Sequence, residues 1–192
     1  MEIVDLATTG KRGFNRATKL LLKEFAETIP SIWPTKQAAE EEVRAALATG
    51  SALAAIDAKG QVVGWCAAQP HYNGCVWRVR PVVVDSAFQG IGIGTMLLRH
   101  LEMRANMAGV LTLWASSDDE MALTPFSNVN LYADLPSRFA RVHEMRAHPL
   151  GFYVAYGFSI VGVLPDAYGK GKPDIFLAKR AVIVPPEHDD GA

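Results

Sequence analysis

The stretch Gln89-Gly90-Ile91-Gly92-Ile93-Gly94 constrains this chain more than any other. It follows an apolar run, Val82-Val83-Val84, and precedes the helical pattern Thr95-Met96-Leu97-Leu98-Arg99-His100-Leu101. A glycine loop between a strand and a helix collects unpaired backbone N–H groups at the positive end of the helix dipole, which favours an anion. Glycines also let the backbone approach a bulky phosphate closely. A phosphate- or pyrophosphate-bearing ligand is therefore expected at this point.

Two better-known glycine motifs do not fit. A P-loop needs Lys-Ser/Thr after its last glycine, and Gly94 is followed by Thr95-Met96. The dinucleotide fingerprint G-x-G-x-x-G is absent because these glycines alternate, and that fingerprint belongs at the first strand of a βαβ series rather than mid-chain. A ligand-free glycine turn is the plain alternative, but three alternating glycines cost backbone entropy that such a turn does not require.

A chain of 192 residues with 49% apolar and 20% charged residues suits one globular domain with a real core. We expect that domain over residues 1–184, with 185–192 a frayed tail. A net charge of −1 gives no electrostatic reason to expect nucleic acid or an anionic membrane. No apolar run approaches a membrane span. The opening Met1-Glu2-Ile3-Val4-Asp5 is expected to be a strand rather than a signal peptide, which points to the cytoplasm. Cys66 and Cys75 are then expected to be reduced thiols, and cysteine–histidine spacing for a metal is missing.

Phe14, Ala17, Leu21, Leu22 and Phe25 recur at helical spacing over about 11–27. Thr35 can cap a second helix with the inner stripe Ala39, Val43, Ala46 and Leu47, ended by Gly50. Residues 51–57 and 62–69 form a hairpin around Ala58-Lys59-Gly60, and a third strand covers 75–85. A helix follows the glycine loop, then a strand at 110–115, a long polar segment over 116–147 with a helix near 135–146, a short helix opened by Pro149, and strands at 158–164 and 175–179. The order predicts an α/β (α+β) domain: a mixed, mostly antiparallel sheet of about six to seven strands flanked by about four helices.

The pattern Gln-x-x-Gly-x-Gly after a Val-rich strand resembles the acetyl-CoA loop of the GNAT acyltransferases, and the element order matches that fold over almost the whole chain. Within that superfamily, His148-Pro149 to Phe158, Ile160 to Ala167 and Gly171-Lys172-Pro173-Asp174-Ile175 are similar to the aminoglycoside 6'-N-acetyltransferases, as are Trp77 to Val84 and Ser117-Asp118-Asp119. The resemblance implies direct acetyl transfer from acetyl-CoA, with no metal, to a small-molecule amine, the 6'-amine of an aminoglycoside antibiotic, and hence antibiotic resistance; a homodimer is compatible with it. It places the thioester on backbone groups of the Val82 and Val84 strand, and the pyrophosphate on Gln89, Gly90, Gly92, Ile93, Gly94 and Thr95.

The chemistry needs a deprotonated amine, a donor to the oxyanion and a proton for the leaving thiolate. Tyr153 matches the family's tyrosine donor to sulfur, with core packing beside Phe152 and Tyr156 as its alternative role. Asp118 and Asp119 follow a central strand where an ammonium is anchored or a proton accepted, with a cap or acidic turn as the alternative; Asp118 lies nearer the strand end. Trp33 and Tyr72 are candidate acceptor-pocket aromatics. The histidines lie in turns, in the tail or, for His100, on the helix after the loop, and carry no catalytic expectation.

One departure stands out. Where the enzymes it resembles typically carry Glu and His, this chain has Arg78 and Arg80. Two apart on a strand, they share a face. Permanent cations are poor bases and repel a polycationic aminoglycoside unless Asp118, Asp119, Glu41 or Glu42 neutralises them. An acceptor carrying an anion is the alternative substrate, and a non-catalytic acyl-CoA-binding module is the alternative of another class.

Overall fold

The computed structural model describes residues 1–26, 32–119, 121–141 and 150–181. Seven strands form one sheet: β1 (Glu2–Asp5), β2 (Leu53–Ile56), β3 (Val62–His71), β4 (Val76–Val84), β5 (Thr112–Asp118), β6 (Ser159–Leu164) and β7 (Asp174–Arg180). Their spatial order is β1-β2-β3-β4-β5-β7-β6. Every pairing is antiparallel except β4–β5. Five α-helices lie among the described residues, against the expected four or so: α1 (Gly10–Phe25), α2 (Lys36–Ala48), α3 (Ile93–Met107), α4 (Leu131–Ala140) and α5 (Leu150–Ala155).

Helices cover both faces of the sheet, so there are two hydrophobic clusters. On one face α1 and α2 bury Leu20, Leu21 and Val43 with Trp65 of β3. On the other, α3 buries Leu97, Leu98 and Leu101 against Val63, Leu113 and Leu177. Each such leucine contributes about 2 kcal/mol of burial. Thr35 caps α2 as its sequence position predicts, accepting a hydrogen bond from Ala38 N–H at 3.1 Å. Cys66 is buried and Cys75 exposed, and both are free thiols.

The helix expected near 135–146 starts earlier, at Leu131, because Asn130 caps it by accepting from Tyr132 N–H. It is broken at Asp134, two residues ahead of Pro136, which lacks the N–H a continuous helix would use. Residues 142–149, which include His143, His148 and Pro149, and the tail from 182 on lie outside the described residues. No helix among the described residues is long and apolar enough to cross a membrane.

β4 and β5 pair over only three positions: Val76 with Thr112, Trp77 with Leu113 and Arg78 with Trp114. Beyond these, β4 stays on β3 and β5 stays on β7. The sheet therefore splits into a wedge that opens toward the C-terminal ends of both strands.

Candidate active site

The wedge opens into a cleft of about 940 Å³. One side of it is built mostly from backbone. Asp85 N–H donates to Val63 O at 2.8 Å. With the register Val84–Gly64, Val83–Trp65 and Val82–Cys66, this makes Val83 a residue that bonds β3, while Val82 and Val84 turn their peptide groups toward the gap. The carbonyl of Val84 accepts from Gln89 Nε2 at 2.8 Å, which ties the start of the loop back to the strand.

The three glycines have separate reasons. Gly90 (φ 77°) and Gly92 (φ 88°) sit in the left-handed region that a side chain disfavours. Gly94 lies inside the first turn of α3, where a Cβ would come within 3.0 Å of the Phe152 ring. Gly92 is the N-cap of α3, and the first helical bond runs from Met96 N–H to Gly92 O, so the amides ahead of Met96 have no intrahelical acceptor. Val82, Val84, Gln89, Gly90, Gly92, Ile93, Gly94 and Thr95 all line the same cleft.

Tyr153 lines it too, carried by α5 and held edge-to-face between Phe152 and Phe158. Burial pushes its hydroxyl well above the ordinary tyrosine value, so it keeps its proton at neutral pH.

The other side of the cleft is built from side chains. Asp118, at the end of β5, lines it with Ser116, Ser117, Arg78, Arg80, Trp33 and Tyr168. Each arginine lies over a tryptophan: Arg78 on Trp114 (4.9 Å to the ring centre) and Arg80 on Trp33 (5.4 Å). Arg78 also donates to Ser116 Oγ at 3.5 Å. Burial, and next the neighbouring charge of Arg80, lower its pKa. Of the carboxylates expected to offset these charges, Glu42 reaches Arg80 (3.4 Å) and also accepts from Trp33 Nε1 at 3.1 Å. Glu41 instead accepts from Gln37 on the exposed face of α2.

Asp119 takes the structural role rather than the cleft-facing one. It is 1% exposed, and its carboxylate accepts from Leu123 N–H, Thr124 N–H, Thr124 Oγ1 and Ser127 Oγ. It thereby shapes the loop that brings Met121 and Leu123 to the cleft. Tyr72 is not brought to the cleft either: it sits 75% exposed in the turn before β4, at the end of that strand away from the glycine loop.

Asp174 belongs to the Gly171–Ile175 motif but carries no site role in the sequence. It is the Cα partner of Asp118 across β5–β7 and is 8% exposed, with Oδ1 buried and without a hydrogen-bond partner. Burial first, with the Asp118 charge adding to it, raises its pKa to about 6 against the opposing pull of Arg78. Only the pairing of β7 with β5, more than fifty residues apart in sequence, brings it beside Asp118. No group of three or more metal-ligating side chains occurs among the described residues.

Residues 17–132 match the family model described as the acetyltransferase (GNAT) family. Among solved structures, the chain is similar to an aminoglycoside 6'-N-acetyltransferase complexed with coenzyme A, at 31% identity over 96% of this chain and 99% of the other, with a TM-score of 0.85. It is equally similar, at 31% identity, 96% and 99% coverage and a TM-score of 0.84, to the aminoglycoside 6'-N-acetyltransferase from Enterococcus faecium. Aminoglycoside 6'-acetyltransferase type Ii is similar at 28% identity over 96% of this chain and 100% of the other, with a TM-score of 0.69. No curated protein sequence matches the chain significantly. With the split β4–β5 sheet, the glycine loop at the N-terminus of α3 and a family model spanning more than half its length, the chain belongs to the GNAT family of acetyltransferases.

Proposed function

We propose that the chain is an acetyl-CoA-dependent N-acetyltransferase that acetylates the 6'-amine of aminoglycosides by direct attack in a ternary complex. The observation that carries this is the single cleft in which the glycine loop, the free edge of β4, Tyr153 and Asp118 meet. The similarity to aminoglycoside 6'-N-acetyltransferases over nearly the full chain supports the choice of acceptor.

The loop amides and the α3 dipole bind the pyrophosphate. The peptide groups of Val82 and Val84 extend the sheet onto the amides of the pantetheine arm, and an N–H on this edge donates to the carbonyl oxygen as it gains charge. The acceptor enters between Trp33 and Asp118. Asp118 anchors its ammonium and takes up the proton, directly or through water. The free amine attacks the thioester carbonyl, the C–N bond forms and the C–S bond breaks. Tyr153, kept protonated by burial, delivers a proton to the departing sulfur.

A second acceptor class, a small amine that also carries an anionic group, is favoured by the two guanidinium groups lining the cleft. A thiol-release assay with acetyl-CoA separates the two. Turnover with 6'-amino aminoglycosides, but not with one lacking that amine, is expected. No turnover with any 6'-amino compound would remove the aminoglycoside assignment.

A further inference from the structure

The cleft is not the only place where charge is gathered around the glycine loop. Asp85, the residue between β4 and the loop, is 5% exposed although it carries a charge. A buried carboxylate next to the expected seat of a pyrophosphate is unfavourable twice over, by desolvation and by repulsion. Two cations from α1 answer both problems. Arg16 forms an ion pair with Asp85 and also donates from Nε to Val62 O at 3.0 Å. Lys23 reaches Asp85 Oδ1 at 2.7 Å and Ser86 Oγ at 2.9 Å. The hydrogen bond from Lys23 is the largest cause holding the Asp85 pKa below the usual carboxylate range.

The same carboxylate shapes the loop root. It accepts from Ala87 N–H at 3.2 Å, which caps the single 3-10 turn over Ser86–Phe88 that delivers the chain to Gln89. Asp85 N–H and C=O are also engaged, with Val63 O and Phe88 N–H. One residue thus joins β3 through its N–H, and α1 and the loop root through its carboxylate, while Lys23 is shared with Glu24 at 2.9 Å, so two cations balance two carboxylates.

Resting on the coenzyme-binding assignment above, we infer that Asp85, clamped by Arg16 and Lys23 from α1, is a positioning residue. It fixes the root of the glycine loop so that the amides of residues 90–95 converge on the pyrophosphate, and the clamp cancels the Asp85 charge that would otherwise oppose an anion there. Arg16 and Lys23 touch the loop root from outside the cleft, so the clamp acts on coenzyme binding and not on the chemical step.

Coenzyme A binding by calorimetry, the melting temperature, and kcat at saturating acetyl-CoA test this in the parent, Asp85→Asn, Lys23→Met and Lys23→Arg. We expect roughly tenfold weaker coenzyme A binding for Asp85→Asn and about threefold for Lys23→Met, with Lys23→Arg close to the parent. kcat at saturation should stay within about twofold of the parent, because affinity and turnover separate when only ground-state positioning is lost. Should Asp85→Asn fail to fold, Lys23→Met decides, since the Lys23 side chain is 52% exposed. Unchanged coenzyme A affinity in Lys23→Met and Asp85→Asn would overturn the inference, and so would an affinity loss matched by an equal loss of kcat. If the parent itself does not bind coenzyme A, it is the coenzyme assignment that fails.

Discussion

The two walls of the cleft are made of different material. The wall formed by the end of β4, the loop and the start of α3 presents mostly peptide groups, held by two positive-φ glycines and one Gln89–Val84 hydrogen bond. The facing wall, formed by Arg78, Arg80, Trp33, Asp118 and the loop built around Asp119, presents side chains, many of them charged. Backbone recognition is insensitive to most substitutions but intolerant of a change in φ. Side-chain recognition can be rewritten one residue at a time. The first suits a donor that never varies, the second an acceptor that does.

The largest test of this division falls on the residue at its seam. Tyr153→Phe removes one oxygen from a ring already packed between Phe152 and Phe158. Loss of a general acid should lower kcat by about 100-fold with the coenzyme A dissociation constant unchanged. Equal kcat in steady-state assays would leave Tyr153 as packing alone.

Next in size is Asp174→Asn, which asks whether the acceptor wall stores unfavourable charge. The folded-state pKa of Asp174 is raised above its unfolded value of about 4. Its contribution to stability is therefore full below that value and is lost as pH rises through about 6. Relative to the parent, the variant should gain on the order of 2 kcal/mol between pH 4 and pH 8, read as a widening gap between thermal melts. A gap that does not change with pH would mean that Asp174 is well compensated in place.

On the donor wall, Gly92→Val forces a β-branched residue to φ 88°. Coenzyme A should bind roughly tenfold more weakly by calorimetry, while a thermal melt reports the accompanying strain. A variant that binds as the parent does would show that the loop tolerates another path. The smallest effect is expected at Arg78→Glu. Because Arg78 already lies over Trp114 beside Ser116, the KM for a cationic acceptor should fall by about threefold, and that for acetyl-CoA should not move. An acceptor KM that rises instead would point to an anionic substrate.

Sequence reading carried further on the donor wall than on the acceptor wall, and the reason is locality. The strand, the glycines, the Gln89 lead-in and the following helix form one uninterrupted stretch from Val76 to Met107, so their spacing alone brings them together. The Thr35 cap and the Asp57–Gln61 turn are local in the same way. Acceptor residues come from four separate elements. Nearness to the strand end favours Asp118, which lines the cleft, but no local pattern shows that Asp119 turns inward to four hydrogen bonds. Tyr72 lies near Trp77 and Arg78 in sequence yet sits in an exposed turn away from the loop. Asp174 becomes relevant only through its pairing with Asp118.

The β4–β5 pair is the only parallel junction among the described residues, and α3 is the crossover that joins its two strands. Parallel neighbours always need such a crossover, and a helix leaving the C-terminal end of a strand always points its own N-terminus back over that end. The anion cradle is thus a by-product of connectivity: any chain folded with this topology already owns the geometry, and selection had only to thin the turn down to glycine.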